Sequence, residues 1–216
     1  METTHSKNSG EERFDVAKVF IRETWCIGES AFAVLLLLIG TSMLDGFYGS
    51  YYNLNQLVFD AFDAPVSIIG IFFGASYAVN ATAYIAADFF SSRFGKRNTM
   101  LGSMLIEAGL FMILPWFASN PLCLFGLSMV LCFLPEVVYI TSENLIQDAI
   151  ADDLRATILS VASLVRALFS AMFFSIFGYV LGLYPIQIAL GVIGAIAIAI
   201  TAVVSLKMVG IHVSKN

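Results

Sequence analysis

The chain has 216 residues, of which 59% are hydrophobic and only 12% charged, with a formal net charge of −5. A soluble globule of this size cannot hide so much apolar surface, so the composition points to a membrane protein. The acidic balance, with basic residues scattered rather than gathered in a patch, excludes nucleic acid as an expected partner.

Residues 1–12 are polar and expected to be disordered. Residues 13–25 interleave Phe14, Val16, Val19 and Phe20 with Arg13, Asp15, Lys18, Arg22 and Glu23. This is an amphipathic stretch suited to the inner membrane interface, or a polar lead-in to the first span. Six apolar runs follow, at roughly 31–56, 66–89, 99–118, 121–142, 157–182 and 186–207, each long enough to cross a hydrocarbon core of about 30 Å. The first run is too long for a signal peptide and has no small-residue cleavage site close behind it. The expected organisation is a tail over 1–26, a six-helix membrane domain over 27–209 and a short tail over 210–216.

Threaded alternately through a bilayer, these spans sort the charges. Lys7, Arg13, Lys18, Arg22, Arg93, Lys96, Arg97, Arg155, Lys207 and Lys215 fall on one face, and the loops of the other face carry no Lys or Arg. Only Arg166 lies inside a span. The positive-inside rule then places both termini in the cytoplasm. Cys26, Cys123 and Cys132 read as packing residues, since Cys123 and Cys132 sit on one helix about 13 Å apart.

Two kinds of row recur in the spans. Small residues at four-residue spacing are Gly70, Gly74, Ala78, Thr82 and Ala86 in the second span, Ser163, Ala167, Ala171 and Ser175 in the fifth, and Gly191, Ala195 and Ala199 in the sixth. Such rows let helices approach closely in lipid, so they are expected inside a compact bundle. Polar rows are Thr41, Asp45, Tyr48, Tyr52 and Gln56 in the first span, Tyr77, Asn80, Tyr84 and Asp88 in the second, and Glu136, Tyr139 and Glu143 in the fourth. Arg166 precedes Ser170 by one turn in the fifth. Gly40, Gly46 and Gly49 are expected to let the first helix bend. Two polar-striped spans and a plainer one, repeated, suggest a three-plus-three repeat, a transporter feature.

The 2–3 loop, SSRFGKRNTML at 91–101, resembles the cytoplasmic loop motif of the major facilitator superfamily through Arg93, Gly95, Lys96 and Arg97. Ser92 stands where that motif usually has Asp. Residues 153–163, DLRATILSVAS, look like the start of the family's eleventh helix in many bacterial members, and GFYGSYYNLNQLVF at 46–59 resembles the outer half of its seventh. The resemblance implies an all-α membrane fold, a six-transmembrane-helix bundle equivalent to helices seven to twelve, in a bacterial plasma membrane. It also implies secondary transport of a small solute by alternating access, with protons as the candidate coupling ion and efflux of an amphipathic or cationic compound as the family analogy. Only one half of such a transporter is present. The implied partners are therefore the lipid bilayer, a solute, and an amino-terminal six-helix half or a second copy. The chain reads as a truncated or split gene product, a fragment of a longer reading frame, or a half-size protein, and the alternative function is a non-transporting remnant or scaffold. The loop's basic residues are expected either to pair with Asp152 and Asp153 or to serve only as topology signals.

Ionisable groups at membrane depth are functional candidates by default. From the predicted span ends, Arg166 lies roughly 14 Å deep, Glu107 about 12 Å, Glu136 about 9 Å and Asp45 about 21 Å. Arg166 needs a carboxylate, and Glu136 is the expected partner, with Glu107 next. Asp45 is expected to bind a proton or cation, or else to sit in a wet outer vestibule. Glu107 is expected to be hydrogen-bonded in place or to face the absent half. Glu143 and Asp88 are expected to be gating or loop-anchoring groups at most. The expected solute or ion pathway is Asp45, Tyr48, Tyr52, Asn80, Tyr84, Glu136, Tyr139, Arg166 and Ser170. No enzyme, cofactor or metal is expected: His5 and His212 lie in the tails, and no GxSxG, HExxH or CxxC pattern occurs.

Overall fold

The computed structural model describes residues 29–117, 119–150 and 152–209. The tail, the amphipathic stretch 13–25 and the carboxy-terminal tail 210–216 lie outside the described residues. Six helices occur in the described chain: α1 (Glu29–Ala61), α2 (Val66–Phe94), α3 (Lys96–Phe117), α4 (Pro121–Ala149), α5 (Asp152–Leu183) and α6 (Ile186–Val209). They appear in the predicted order. Most run past the predicted ends, because the apolar windows mark the hydrocarbon core and the helices continue into polar flanks. Five of them, α2 to α6, are long and apolar enough to cross a membrane, which is consistent with a multi-pass membrane protein.

The breaks between helices have local causes. Asp63 takes a left-handed conformation (φ 55°) after α1, and Pro65 then precedes α2. Gly95 separates α2 from α3 at φ 83°, a region that costs a side-chain-bearing residue but not glycine. Asn120 caps α4 by accepting from the N–H groups of Leu122 and Cys123, with Pro121 at the first helical position. Pro115 and Pro135 sit inside α3 and α4 without ending either helix.

The extensive helix contacts are α1 with α4, α5 and α6; α3 with α2, α4 and α6; α2 with α4; and α5 with α6. Exchanging α1 with α4, α2 with α5, and α3 with α6 turns this set into itself. The packing is therefore symmetric between the two groups of three helices, although no residue identity relates them.

Phe47 on α1 is the hub of the core. Its ring is fully buried and meets Tyr48, Phe111, Phe173 and Phe177 edge-on at 4.9–5.6 Å, joining α1, α3 and α5. Edge-to-face contacts of this kind add about 0.5–1.5 kcal/mol each beyond area burial. Phe59, Phe72 and Phe125 tie α1, α2 and α4 together, Phe72 meeting Phe59 at a tilt and Phe125 edge-on.

The small-residue rows do not lie where they were expected. Gly70, Gly74, Ala78 and Thr82 of α2, Ser163, Ala167, Ala171 and Ser175 of α5, and Ala195 and Ala199 of α6 are exposed. A Cβ built at Gly70, Gly74 or Gly191 would meet nothing within 4 Å. The close approach uses a different row, Ser42, Gly46 and Ser50 on α1. Ser42 Oγ donates to Ala162 O at 3.5 Å, and Ser50 Oγ to Ser170 O at 2.9 Å. At Gly46 a Cβ would stand 2.7 Å from Phe169 Cβ and from Ser170 N. Gly40 and Gly46 of α1 thus sit at helix contacts: Gly40 lies against Val204 of α6, and α1 is continuous for 33 residues.

Gly46→Ala is expected to push α5 away from α1 and cost about 1–3 kcal/mol, as overpacking does. Gly49→Ala meets only Ser170 Oγ, at 3.6 Å, and is expected to be neutral. Thermal unfolding of the two variants in detergent checks the contrast.

Candidate functional site: an arginine cluster between α1, α4 and α5

The α1–α5 seam places Asp45 beside Arg166. Asp45 adjoins Gly46, the point of closest approach, and Arg166 lies one turn before Ser170 on the facing helix. Arg166 Nε is 2.5 Å from Asp45 Oδ2, and Arg166 Nη2 is 3.6 Å from Glu143 Oε1. The guanidinium carbon also stands 4.3 Å above the centre of the Tyr139 ring, in cation–π geometry. One arginine is thus held by two carboxylates and an aromatic face from three helices. Its side chain is 24% exposed, and those of Asp45 and Glu143 are each 27% exposed. The cluster therefore lies on an open face of the bundle rather than in its core.

This corrects the expected pairing. Glu136 is half-buried one turn from Tyr139 and makes no ion pair with Arg166. The expectation rests on the fifth span packing near the fourth, whereas α5 packs chiefly on α1 and has no extensive contact with α4. α5 begins at Asp152, five residues before the apolar window, so Arg166 lies roughly 21 Å from its start. That brings it level with Asp45, roughly 24 Å along α1. Glu143 joins because side chains lean toward the start of their own helix, which directs Arg166 back toward the end of α4. Glu143 is thus part of the cluster, not a loop anchor.

The other pathway candidates divide. Tyr52 Oη lies 3.0 Å from Ser76 Oγ, linking α1 to α2. The Asn80 amide, oriented to donate, reaches the carbonyls of Cys132 and Ser76 at 3.2 Å. Tyr84 and Tyr77 are 56% and 73% exposed on the free face of α2. Ser170 Oγ donates to Gly46 O at 3.5 Å and belongs to the seam. Tyr48 leaves the row: it is 3% exposed and stacks on Phe111 at 5.5 Å, inside the core. Thr41 is likewise buried and donates to Leu37 O. Glu107 does not face an absent half, because it is fully buried within this bundle.

Arg93 ends α2 and Lys96 and Arg97 begin α3, around Gly95. Lys96 Nζ pairs with Asp148 Oδ2 at 2.5 Å on exposed side chains. An exposed pair of this kind contributes at most about 1 kcal/mol. The side chains of Asp152 and Asp153, the expected partners, lie outside the described residues. The two described cysteines, Cys123 and Cys132, are free thiols. No group of three or more His, Cys, Asp or Glu residues among the described residues is arranged to hold a metal ion.

No protein-family model matches the chain, and neither a curated protein nor a solved structure matches it.

Arg166→Ala strands two carboxylates, and combining it with Asp45→Ala is expected to recover about 1–3 kcal/mol relative to additivity. Arg166→Ala combined with Glu136→Ala is expected to add within about 0.5 kcal/mol. Chemical unfolding of the parent, the three single variants and the two double variants closes both cycles.

Proposed function

We propose that the chain is one half of a secondary transporter, a six-span bundle that moves a small solute by rocking against a second bundle. The carrying observation is the Arg166 cluster, charged and partly open, on a face that no other described helix covers. A guanidinium and two carboxylates at membrane depth are costly unless they line water, a solute or protein. On this reading α1 is the sixth span, and Asp45, Tyr139, Glu143, Arg166 and the exposed tyrosines of α2 line the pathway. The exchange symmetry of the helix contacts supports a three-plus-three repeat. With alternate threading, α1 and α4 run oppositely, so the repeat is inverted, as in many transporters. The likeness to the second half of the major facilitator superfamily rests on the loop residues Arg93, Gly95, Lys96 and Arg97 and on the stretches at 46–59 and 153–163.

The uncovered small-residue rows support a partner. In the spans of α2 and α5 only 17% and 11% of residues are buried, against 39–44% in α3, α4 and α6. A small-residue row facing lipid gains nothing, whereas against another helix it permits close backbone contact. The partner is a second copy or a separate six-helix half, in a bacterial plasma membrane with both termini cytoplasmic.

Cysteines placed at Ala78 and Ala171 in a cysteine-free background are expected to form α2–α5 disulfides between chains under mild oxidation. Cysteines at Lys96 and Ser119 are expected to label from opposite sides of the membrane. In proteoliposomes, flux of a lipophilic cation driven by a pH gradient is expected to fall at least tenfold in Arg166→Ala at unchanged protein level. A chain that is monomeric, stable and inert to solutes in nanodiscs would instead mark a non-transporting scaffold.

A further inference from the structure

An open concavity lies at the corner where α2 ends and α3 begins. Its volume is about 540 Å³, and Asp88, Phe89, Ser91, Ser92 and Lys96 line it. The corner is fixed by short-range bonds. Gly95 turns the chain at φ 83°, its N–H donates to Ser91 O at 3.0 Å, and its carbonyl accepts from the Thr99 N–H at 3.0 Å. Asn98 Nδ2 donates to Phe94 O at 3.0 Å. The concavity is thus built by two helix ends and the turn that joins them.

The length of α2 sets its height. Asp88 lies roughly 33 Å and Ser92 roughly 39 Å along the helix from Val66. A hydrocarbon core takes about 30 Å of that length, and about 40–45 Å includes the headgroups. The concavity therefore stands at headgroup level at one edge of the bilayer. The surface beside it is aromatic. Phe89, Phe90 and Phe94 are exposed, with Phe89 edge-on to Phe90 at 5.5 Å and Phe90 stacked on Phe94 at 6.3 Å.

Charge narrows the occupant. Lys96 Nζ gives one of its three hydrogens to Asp148, and an exposed pair of this kind is weak enough to share its cation. Because α3 begins at Lys96, the positive end of its helix dipole lies at the same corner. Arg93, in the last turn of α2, follows Phe89 by four residues and so stands on the same helix face. These cations match a phosphate. Asp88 would repel a bare phosphate ester, but a headgroup with hydroxyls beyond its phosphate can donate to that carboxylate. Ser92 Oγ donates to Phe89 O at 2.8 Å, which leaves its lone pairs to accept as well.

We propose that the α2–α3 corner binds an anionic phospholipid with a hydroxylated headgroup, of the phosphatidylglycerol class. Lys96 and Arg93 take the phosphodiester, Asp88 and Ser92 the glycerol hydroxyls, and the three phenylalanines the upper part of an acyl chain. Basic pockets between spans on the loop face are where anionic headgroups bind. The site requires only that α2 and α3 cross a membrane, and it is independent of the transport reading.

The test uses the full chain in detergent micelles, titrated with phosphatidylglycerol, phosphatidylcholine or phosphatidic acid and read by native mass spectrometry. The expected result is saturable binding of phosphatidylglycerol about tenfold tighter than of phosphatidylcholine. Lys96→Gln is expected to weaken it about fivefold, the effect of one cation beside a headgroup, whereas Lys207→Gln, which removes the same charge from α6, leaves it unchanged. Asp88→Asn is expected to erase the preference for phosphatidylglycerol over phosphatidic acid, which lacks the glycerol. Should Lys96→Gln not accumulate, Phe89→Ala decides the matter, with an expected loss of about threefold. Equal binding of phosphatidylglycerol and phosphatidylcholine overturns the proposal, as do equal losses in Lys96→Gln and Lys207→Gln or undiminished binding in Phe89→Ala. Displacement of the lipid by free glycerol phosphate would mark a site for soluble phosphate esters and overturns it too.

Discussion

The contact between α1 and α5 at Gly46 is the constraint from which the rest follows. Without a Cβ there, α1 meets the Phe169–Ser170 backbone directly, and the flanking serines extend the contact as hydrogen bonds. Lipid supplies little hydrophobic force between helices, so such close seams carry much of the association. The seam fixes the height of Asp45 against Arg166, and that height decides which carboxylates the arginine meets. It also turns Phe47 into the core and sets Tyr48 against α3.

The charged groups of the spans then separate. The Arg166 cluster opens outward between α1, α4 and α5, whereas Glu107 of α3 is enclosed in the core.

The number, order and approximate place of the helices are legible in the sequence, because each is marked by an apolar run. Helix ends are less so: hydropathy reports where lipid begins, not where hydrogen bonding stops. Helix neighbours are less legible still: Arg166 is matched to Glu136 only if the fifth span packs beside the fourth, whereas α5 lies against α1. The polar stripe of α1 has the period of one face, but Thr41 and Tyr48 turn inward while Asp45 and Tyr52 stay near the surface. Period alone does not show which edge of a stripe a neighbour will cover. Small-residue spacing was ambiguous in the same way. The rows on α2, α5 and α6 are real in sequence yet uncovered, and the row that closes the bundle, Ser42–Gly46–Ser50, has the same spacing and was open to the same reading. Glu107 was legible as an intramembrane acid. Its enclosure was not, since that depends on α6 packing against both α1 and α3.

The seam also imposes an order on synthesis. Asp45 and Arg166 are separated by 166 − 45 = 121 residues. At ribosomal rates of about 5–20 residues per second, α1 emerges roughly 6–24 s before its counter-charge exists. During that interval Asp45 has no counter-charge from α5. The seam between α1 and α5 can therefore close only after four further helices have been made.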